Sequence, residues 1–261
     1  MDLPFYWIDA FTERPFGGNP AAVVPLESWP KDELMQRIAA QNGLSETAFF
    51  VRTATARAGL RWFTPAVEVD LCGHATLAAA HVLFSELGQS ESPFVFDTKS
   101  GPLSVRRVGT KIELDFPARP AKPRGAPKGL LEGLGRRPDE VLCSERMWLC
   151  VYGTAAQVKD LRPDHAALKP VEPGRIIVTA PGDDCDFVSR FFAPDAGIAE
   201  DPVTGSAHCT LVPYWASRLG KLKFHARQLS SRGGELWCEL DGHRVRMAGH
   251  GATYIRGRVS V

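Results

Sequence analysis

LCGHATLAAAHVLFSELG, Leu71 to Gly88, opens on the polar, glycine-containing Cys72-Gly73-His74 and runs into a segment apolar on nearly every face. Ala75, Leu77, Ala78, Ala79, Ala80, Val82, Leu83, Phe84 and Leu87 meet the helical period and leave no solvated stripe. A helix of that kind belongs in an interior, because none of its faces is suited to water. Gly88 is placed to stop it. The run falls short of the ~20 residues a bilayer crossing requires. We therefore read 74–87 as a core helix of a globular protein.

The chain contains this stretch twice. GHATLAAAHVLFSELG (Gly73 to Gly88) aligns without gaps on GSAHCTLVPYWASRLG (Gly205 to Gly220), with Gly73/Gly205, Ala75/Ala207, Ser85/Ser217, Leu87/Leu219 and Gly88/Gly220 identical. Upstream, RWFTP (Arg61 to Pro65) matches RFFAP (Arg190 to Pro194), and downstream KSGPL (Lys99 to Leu103) matches RGGEL (Arg232 to Leu236). Matches that keep one order and nearly one offset indicate an internal duplication, each half built around one buried helix. The second helix is expected over 206–219. Pro213 inside it should kink it or free the Cys209 carbonyl.

Length suits that division, since 261 residues make two domains of comfortable core-building size. A net charge of +1 without a basic run or interleaved aromatic patch gives no nucleic-acid footprint. No membrane segment is expected. MDLPFYWIDAF lacks a charged region ahead of an apolar one, so no secretory signal is read. Six scattered cysteines without a CxxC are expected as free thiols in a reducing cytoplasm.

Phe5 to Ala10 and Ala21 to Pro25 read as strands flanking the turn-rich FTERPFGGNP, whose glycines lack the spacing of a phosphate loop. An amphipathic helix over Lys31 to Asn42 follows, then strands over Thr47 to Arg52, Leu60 to Phe63, 94–98, 103–108 and 111–116. PARPAKPRGAPKG (Pro117 to Gly129) reads as a linker, so the lobes are expected as 1–117 and 118–261, with the C-terminal strand a candidate to join the first. Beyond it we expect a short helix at Leu130 to Gly135 and a helix within Val158 to Leu168. Strands are expected near 147–152, 175–179, 227–231, 235–240, 243–247 and 252–260. Short strands around one buried helix per half make the fold class α+β.

Chemistry is expected where the apolar helices are polar. Gly73-His74 and Thr204-Gly205-Ser206 place free amides and the positive dipole end at each helix start, a ready site for a carboxylate. If the halves face each other, both starts converge on one cleft. Taken singly, His74 and Ser206 serve as well as helix caps. Glu46 precedes the apolar Ala48-Phe49-Phe50, where desolvation would raise its pKa and make it a usable base; a solvated strand-edge glutamate is the alternative. Asp201 lies four residues before Gly205, and an Asx-turn with Pro202 explains it equally well. Cys72 is either a helix-start thiolate or, the reading we favour, a buried free cysteine. With no HExxH or CxxC, no metal site is expected.

FTERPFGGNPAAVV (11–24), LSETAFF (44–50), RWFTPAVEVDLCGHATLA (61–78), EDPVTGSAH (200–208) and the Arg232-Gly233-Gly234 strand start together resemble the PhzF family of phenazine-biosynthesis-type isomerases across almost the whole chain. The resemblance implies a diaminopimelate epimerase-like fold of two pseudo-symmetric domains. It implies an enzyme commonly homodimeric, whose namesake isomerises trans-2,3-dihydro-3-hydroxyanthranilate without metal or organic cofactor. It places the family's acid–base glutamate on Glu46, its site histidine on His74, its aspartate on Asp201 and its serine on Ser206. Gly73, Gly205, Ser206 and Asn19 are then expected to bind substrate. Epimerases of this fold use a thiol from each half, but Thr204 stands where the second half would need one. The expectation is thus a cofactor-independent isomerase that removes and returns a proton on a small carboxylate-bearing substrate. A racemase using Cys72 and a non-catalytic binding protein are the alternatives.

Overall fold

Both apolar runs are helices. In the computed structural model, which describes residues 1–261, the first is α-helical over Gly73–His81 and continues through Val82–Glu86 as a π-turn, with Leu87 N–H bonded to the Val82 carbonyl at 2.9 Å. Every residue from His74 to Ala80 is buried. The second helix runs Gly205–Leu219. Gly88 and Gly220 close them with left-handed backbone, φ 68° and 63°, the region where a glycine escapes the cost of a Cβ. Pro213 lies within the second helix, and the Cys209 carbonyl it frees accepts the Arg119 N–H at 2.8 Å.

The chain divides into two units, Met1–Asp115 with Ala248–Val261, and Phe116–Met247. In the first, strand Asn19–Leu26 pairs parallel with Glu46–Ala54, which pairs antiparallel with Arg57–Phe63; that strand pairs parallel with Phe94–Thr98, itself antiparallel to Gly101–Val108. In the second, Trp148–Val151 pairs parallel with Ile176–Pro181, then antiparallel with Phe187–Phe192, parallel with Lys223–Gln228 and antiparallel with Gly234–Asp241. The alternation is identical. A parallel step needs a crossover, which is usually helical; the central helix supplies the second crossover in each unit. Gly251–Ser260 pairs antiparallel with Asp2–Ala10, which places the C-terminal strand in the first unit.

The repeated RWFTP and RFFAP carry the same device. Arg61 binds both oxygens of Glu68 (2.7 and 2.8 Å) and lies over the Phe63 ring at 5.2 Å. Arg190 binds both oxygens of Glu200 (2.7 and 2.9 Å) and lies over Phe192 at 5.0 Å. Each bidentate pair ties a strand to the loop that opens the central helix of its unit, and the planar fork fixes that loop's direction. The duplication is therefore physical as well as textual.

Several expected elements differ. The helix expected within Val158 to Leu168 is two, Ala155–Asp160 and His165–Leu168. Pro163 disfavours helical backbone at Arg162, and Asp164 starts the second piece by accepting the Ala166 and Ala167 N–H groups. The strand expected near 227–231 is Lys223–Gln228, because its third inward position holds the polar Gln228 and hides the period. Strands Glu140–Cys143 and Phe187–Phe192 escape the sequence reading. The Pro-rich 117–129 segment is pinned rather than loose: Ala118 and Arg119 N–H groups bond His243 and Cys209 carbonyls, and Lys122–Pro123 pairs with Leu142–Cys143.

Candidate active site

Strand periodicity aims the first group of residues. Successive side chains on Glu46–Ala54 point to opposite faces. Phe49 packs with Met35, Ile38 and Ala39 of helix Asp32–Asn42, and Thr47 accepts the Asn42 amide at 3.0 Å. Glu46, Ala48 and Phe50 therefore face the other way, toward helix Gly73–His81. Glu46 pairs in parallel register with Ala21, so Asn19, two residues earlier, shares its face. Gly18 makes that position attainable: its φ is +60°, and a Cβ there would fall 2.1 Å from the Ala10 carbonyl oxygen. Only glycine fits.

These residues meet at the first turn of the helix. His74 Nε2 lies 3.1 Å from a Glu46 carboxylate oxygen, in contact but off the line of a good hydrogen bond. The Asn19 side-chain nitrogen lies 3.3 Å from His74 Nδ1, and Cys72 Sγ lies 3.5 Å from the same nitrogen. The Glu46 side chain keeps 15% of its surface exposed and His74 7%, so the solvated strand-edge reading of Glu46 is excluded. Neither Cys72 nor Thr204, the residues flanking the helix starts, caps its helix with a side chain.

The protonation logic differs from the sequence expectation. Burial pushes the Glu46 carboxyl up, but the His74 charge at 3.1 Å, aided by the nearby polar hydrogens of His74 and Cys72, outweighs it and leaves the pKa below the ordinary value. Burial opposes the imidazolium at His74, yet the Cys72 sulfur, as a hydrogen-bond partner of Nδ1, and above all the charge of the Glu46 carboxylate raise it well above its usual range. The Cys72 thiol is pushed up to about 11 by burial, reinforced by Glu46. The thiol is thus neutral near pH 7, and the Glu46 carboxylate is what holds the proton on His74. A thiolate at the helix start is not the resting state, because desolvation exceeds what the helix terminus returns.

That ion pair has a pH signature. The Glu46 contribution is full above its unfolded value near 4.5 and is lost as pH falls through the depressed folded pKa. The His74 contribution is full below 6.5 and is lost as pH rises through the raised folded pKa. Wild type should therefore exceed His74→Gln in unfolding free energy most between about pH 4.5 and 6.5, the margin shrinking on both sides. Urea unfolding of both proteins across pH checks it; a margin still growing above pH 8 would contradict the pairing.

In the second unit, Asp201 is buried and its carboxylate accepts the Thr204 hydroxyl at 2.5 Å. Gln228, also buried, accepts the Thr204 N–H at 2.9 Å through Oε1 and donates through Nε2 to the Asp201 carbonyl (2.7 Å) and the Thr204 hydroxyl oxygen (3.2 Å). Ser230 donates to the Pro202 carbonyl at 2.8 Å. Because Gln228 donates to the hydroxyl oxygen, the Thr204 proton is directed onto Asp201. This clamp shapes the loop ahead of Gly205, and Ser206 stands exposed in the first turn. Asp201 is held by Thr204 rather than only by an Asx-turn.

A family profile described as phenazine biosynthesis-like protein, PhzC-PhzF, matches residues 8–257. The chain belongs to the PhzF family. A Pseudomonas aeruginosa protein named as an uncharacterized isomerase is 52% identical over 259 residues, covering 99% of both chains. The crystal structure of a PhzF-family protein from Enterococcus faecalis superposes with TM-score 0.97 at 43% identity, covering 100% of each chain. A hydroxyproline epimerase from Agrobacterium vitis, 10% identical with TM-score 0.63 over 99% of this chain and 92% of its own, shares the fold alone. This PhzF-family isomerase accordingly has the epimerase-like α+β architecture.

Glu46, Cys72 and His74 bring three potential metal-ligand atoms within 4.8 Å of one another. In this PhzF-family chain they are already engaged: carboxylate against imidazole, thiol against imidazole. A cation would have to displace the ionisable protons of both His74 and Cys72. Acid–base chemistry is the simpler use of the cluster. No helix of the chain is long and apolar enough to cross a membrane. Sequence reasoning missed Gln228 and the Arg190–Glu200 pair. The repeat match of RFFAP to RWFTP pointed at the arginine, but nothing in the local sequence pointed at Gln228.

Proposed function

We propose that this PhzF-family isomerase works by proton abstraction and return, with Glu46 as the acid–base group and a small carboxylate-bearing molecule as substrate. The observation that carries this reading is the Glu46 carboxylate held mostly out of water at 3.1 Å from His74. Glu46 takes the proton of an activated C–H bond, the electron pair moves into an adjoining unsaturated system, and the proton returns at a conjugated position. Atoms balance without a cofactor. A carboxylate whose pKa is depressed is a weak base, so the substrate C–H must be acidified by conjugation. The imidazolium and the amides at the start of helix Gly73–His81 suit the anionic charge that develops. Asp201, Gly205 and Ser206 belong to the same proposal as substrate-orienting groups.

The test is NMR of a panel of cyclic and amino carboxylates in D2O with the protein present. Loss of a specific C–H signal, followed by appearance of an isomer, is the expected result; binding without any deuterium incorporation would reduce the protein to a carboxylate receptor. The contact of Cys72 with His74 favours one further reading, a racemase with the thiol as acid–base group. With that thiol protonated at neutral pH, Cys72→Ala is expected to retain exchange within about threefold of wild type, below the loss that removing a general base brings. Loss of exchange in that variant, with the fold intact, would transfer the role to Cys72.

A further inference from the structure

We infer that Asn19 is the positioning residue for His74: its side-chain amide holds Nδ1 so that Nε2 stays on Glu46, and it serves the ring in both of its charge states. The inference deepens the acid–base reading of this site and rests on it. Asn19 is fully buried, 3.3 Å from Nδ1, and projects from the same sheet face as Glu46. The backbone is built to put it there, since Gly18 occupies a position that no Cβ could enter and Asn19 is then paired with Ala10. The glycine-rich turn that lacks the spacing of a phosphate loop thus has a use, the delivery of an amide to the imidazole.

The chemistry asks for an amide. A neutral ring with its proton on Nε2 offers a lone pair at Nδ1, which the Asn19 N–H can satisfy. An imidazolium carries protons on both nitrogens, so Nδ1 must donate, and the carbonyl oxygen of the same amide, turned half a revolution, can accept. An aspartate could only accept and a leucine could do neither. The nearby Cys72 sulfur, at 3.5 Å, is a weak partner in either role. When Glu46 accepts a substrate proton, the charge that holds the proton on His74 disappears, and the ring is free to change state without orphaning Nδ1.

Protein labelled with 15N-histidine reads this directly, His74 being assigned by its disappearance in His74→Gln. Ring charge and tautomer are followed with pH in wild type, Asn19→Leu and Asn19→Asp, and in the Glu46→Gln background, where loss of the carboxylate lowers the titration into range. Asn19→Leu is expected to lower the His74 pKa by about one pH unit and to scramble the neutral tautomer. Asn19→Asp is expected to raise it and to move the neutral proton to Nδ1. If Asn19→Leu fails to fold, the tautomer in Asn19→Asp decides alone. Titration and tautomer unchanged from wild type would overturn the inference. No substrate enters these spectra, so a carboxylate panel that never exchanges would sink the isomerase reading while leaving them intact. Invariant spectra with exchange preserved would sink only the role of Asn19.

Discussion

Glu46→Gln is expected to lower solvent-proton exchange by about 10²- to 10⁴-fold, the span that a positioned general base contributes, while leaving the fold intact. The substitution keeps the shape of the side chain and an oxygen for His74, and removes only the charge and the basicity. The Glu46 strand also stays in place, because Ala48 and Phe50 on the same face and Phe49 on the other remain buried. Without the carboxylate, His74 loses the one charge that holds its proton against burial, so its pKa should fall together with the exchange rate. The two readouts separate a base from a charge that merely orients the imidazole: an orienting charge predicts a shifted His74 and exchange within a few-fold of wild type. Glu46→Asp withdraws the carboxylate by one methylene and should fall between, as misplacements near 1 Å cost about 10²-fold. Exchange undiminished in Glu46→Gln would remove Glu46 from the mechanism.

Arg190→Met is expected to destabilise the protein by about 2–3 kcal/mol, between the loss of an exposed ion pair and that of a fully buried one, because Arg190 is buried while part of the Glu200 side chain meets water. Arg190 is buried and holds Glu200 bidentately; its Nη1 also lies 2.9 to 3.3 Å from the carbonyls of Val158, Lys159 and Leu161, at the end of helix Ala155–Asp160. Removing it leaves the Glu200 carboxylate unpaired and takes one donor from each of three carbonyls, which keep Arg162 Nη1 (Lys159 and Leu161) and the Leu161 N–H (Val158). The repeat-related Arg61 is more open, with partners Glu68 and Asp32, the latter largely exposed. The Arg61–Glu68 pair is itself half-buried, but Arg61 has no backbone carbonyls to hold, so its loss to Met should cost less, about 1–2 kcal/mol. Arg190→Met with Glu200→Gln should recover part of the larger loss, since the unpaired charge is then gone. Urea unfolding of the four proteins gives the comparison. Equal losses at Arg61 and Arg190 would show that the carbonyl contacts contribute nothing.

The two kinds of information divide cleanly at particular residues. The apolar run after His74 is readable because a helix without a polar face has one fate, and its second copy after Ser206 announces the repeat. Pro213 is equally readable, since a missing N–H must free a carbonyl four residues back, and the Cys209 carbonyl is taken by Arg119. Gln228 is not readable. Its polarity argues for solvent, and only the return of the chain beside Phe187–Phe192 shows that it faces a loop whose backbone groups need it. The break at Arg162-Pro163 carried a local signal that the helical period on either side concealed.

The sequence by itself determined the α+β class, the duplication, the two central helices and the residue types gathered at their polar starts, because burial and periodicity are local constraints that one chain displays. Only the tertiary structure decided the charge states. Glu46 taken alone is a desolvated acid with a raised pKa. The side chain that reverses the shift, His74, is distant in sequence and arrives at 3.1 Å only when a strand and a helix pack. Coulomb attraction depends on that distance and on the water excluded around it, and neither quantity is written in the order of the residues.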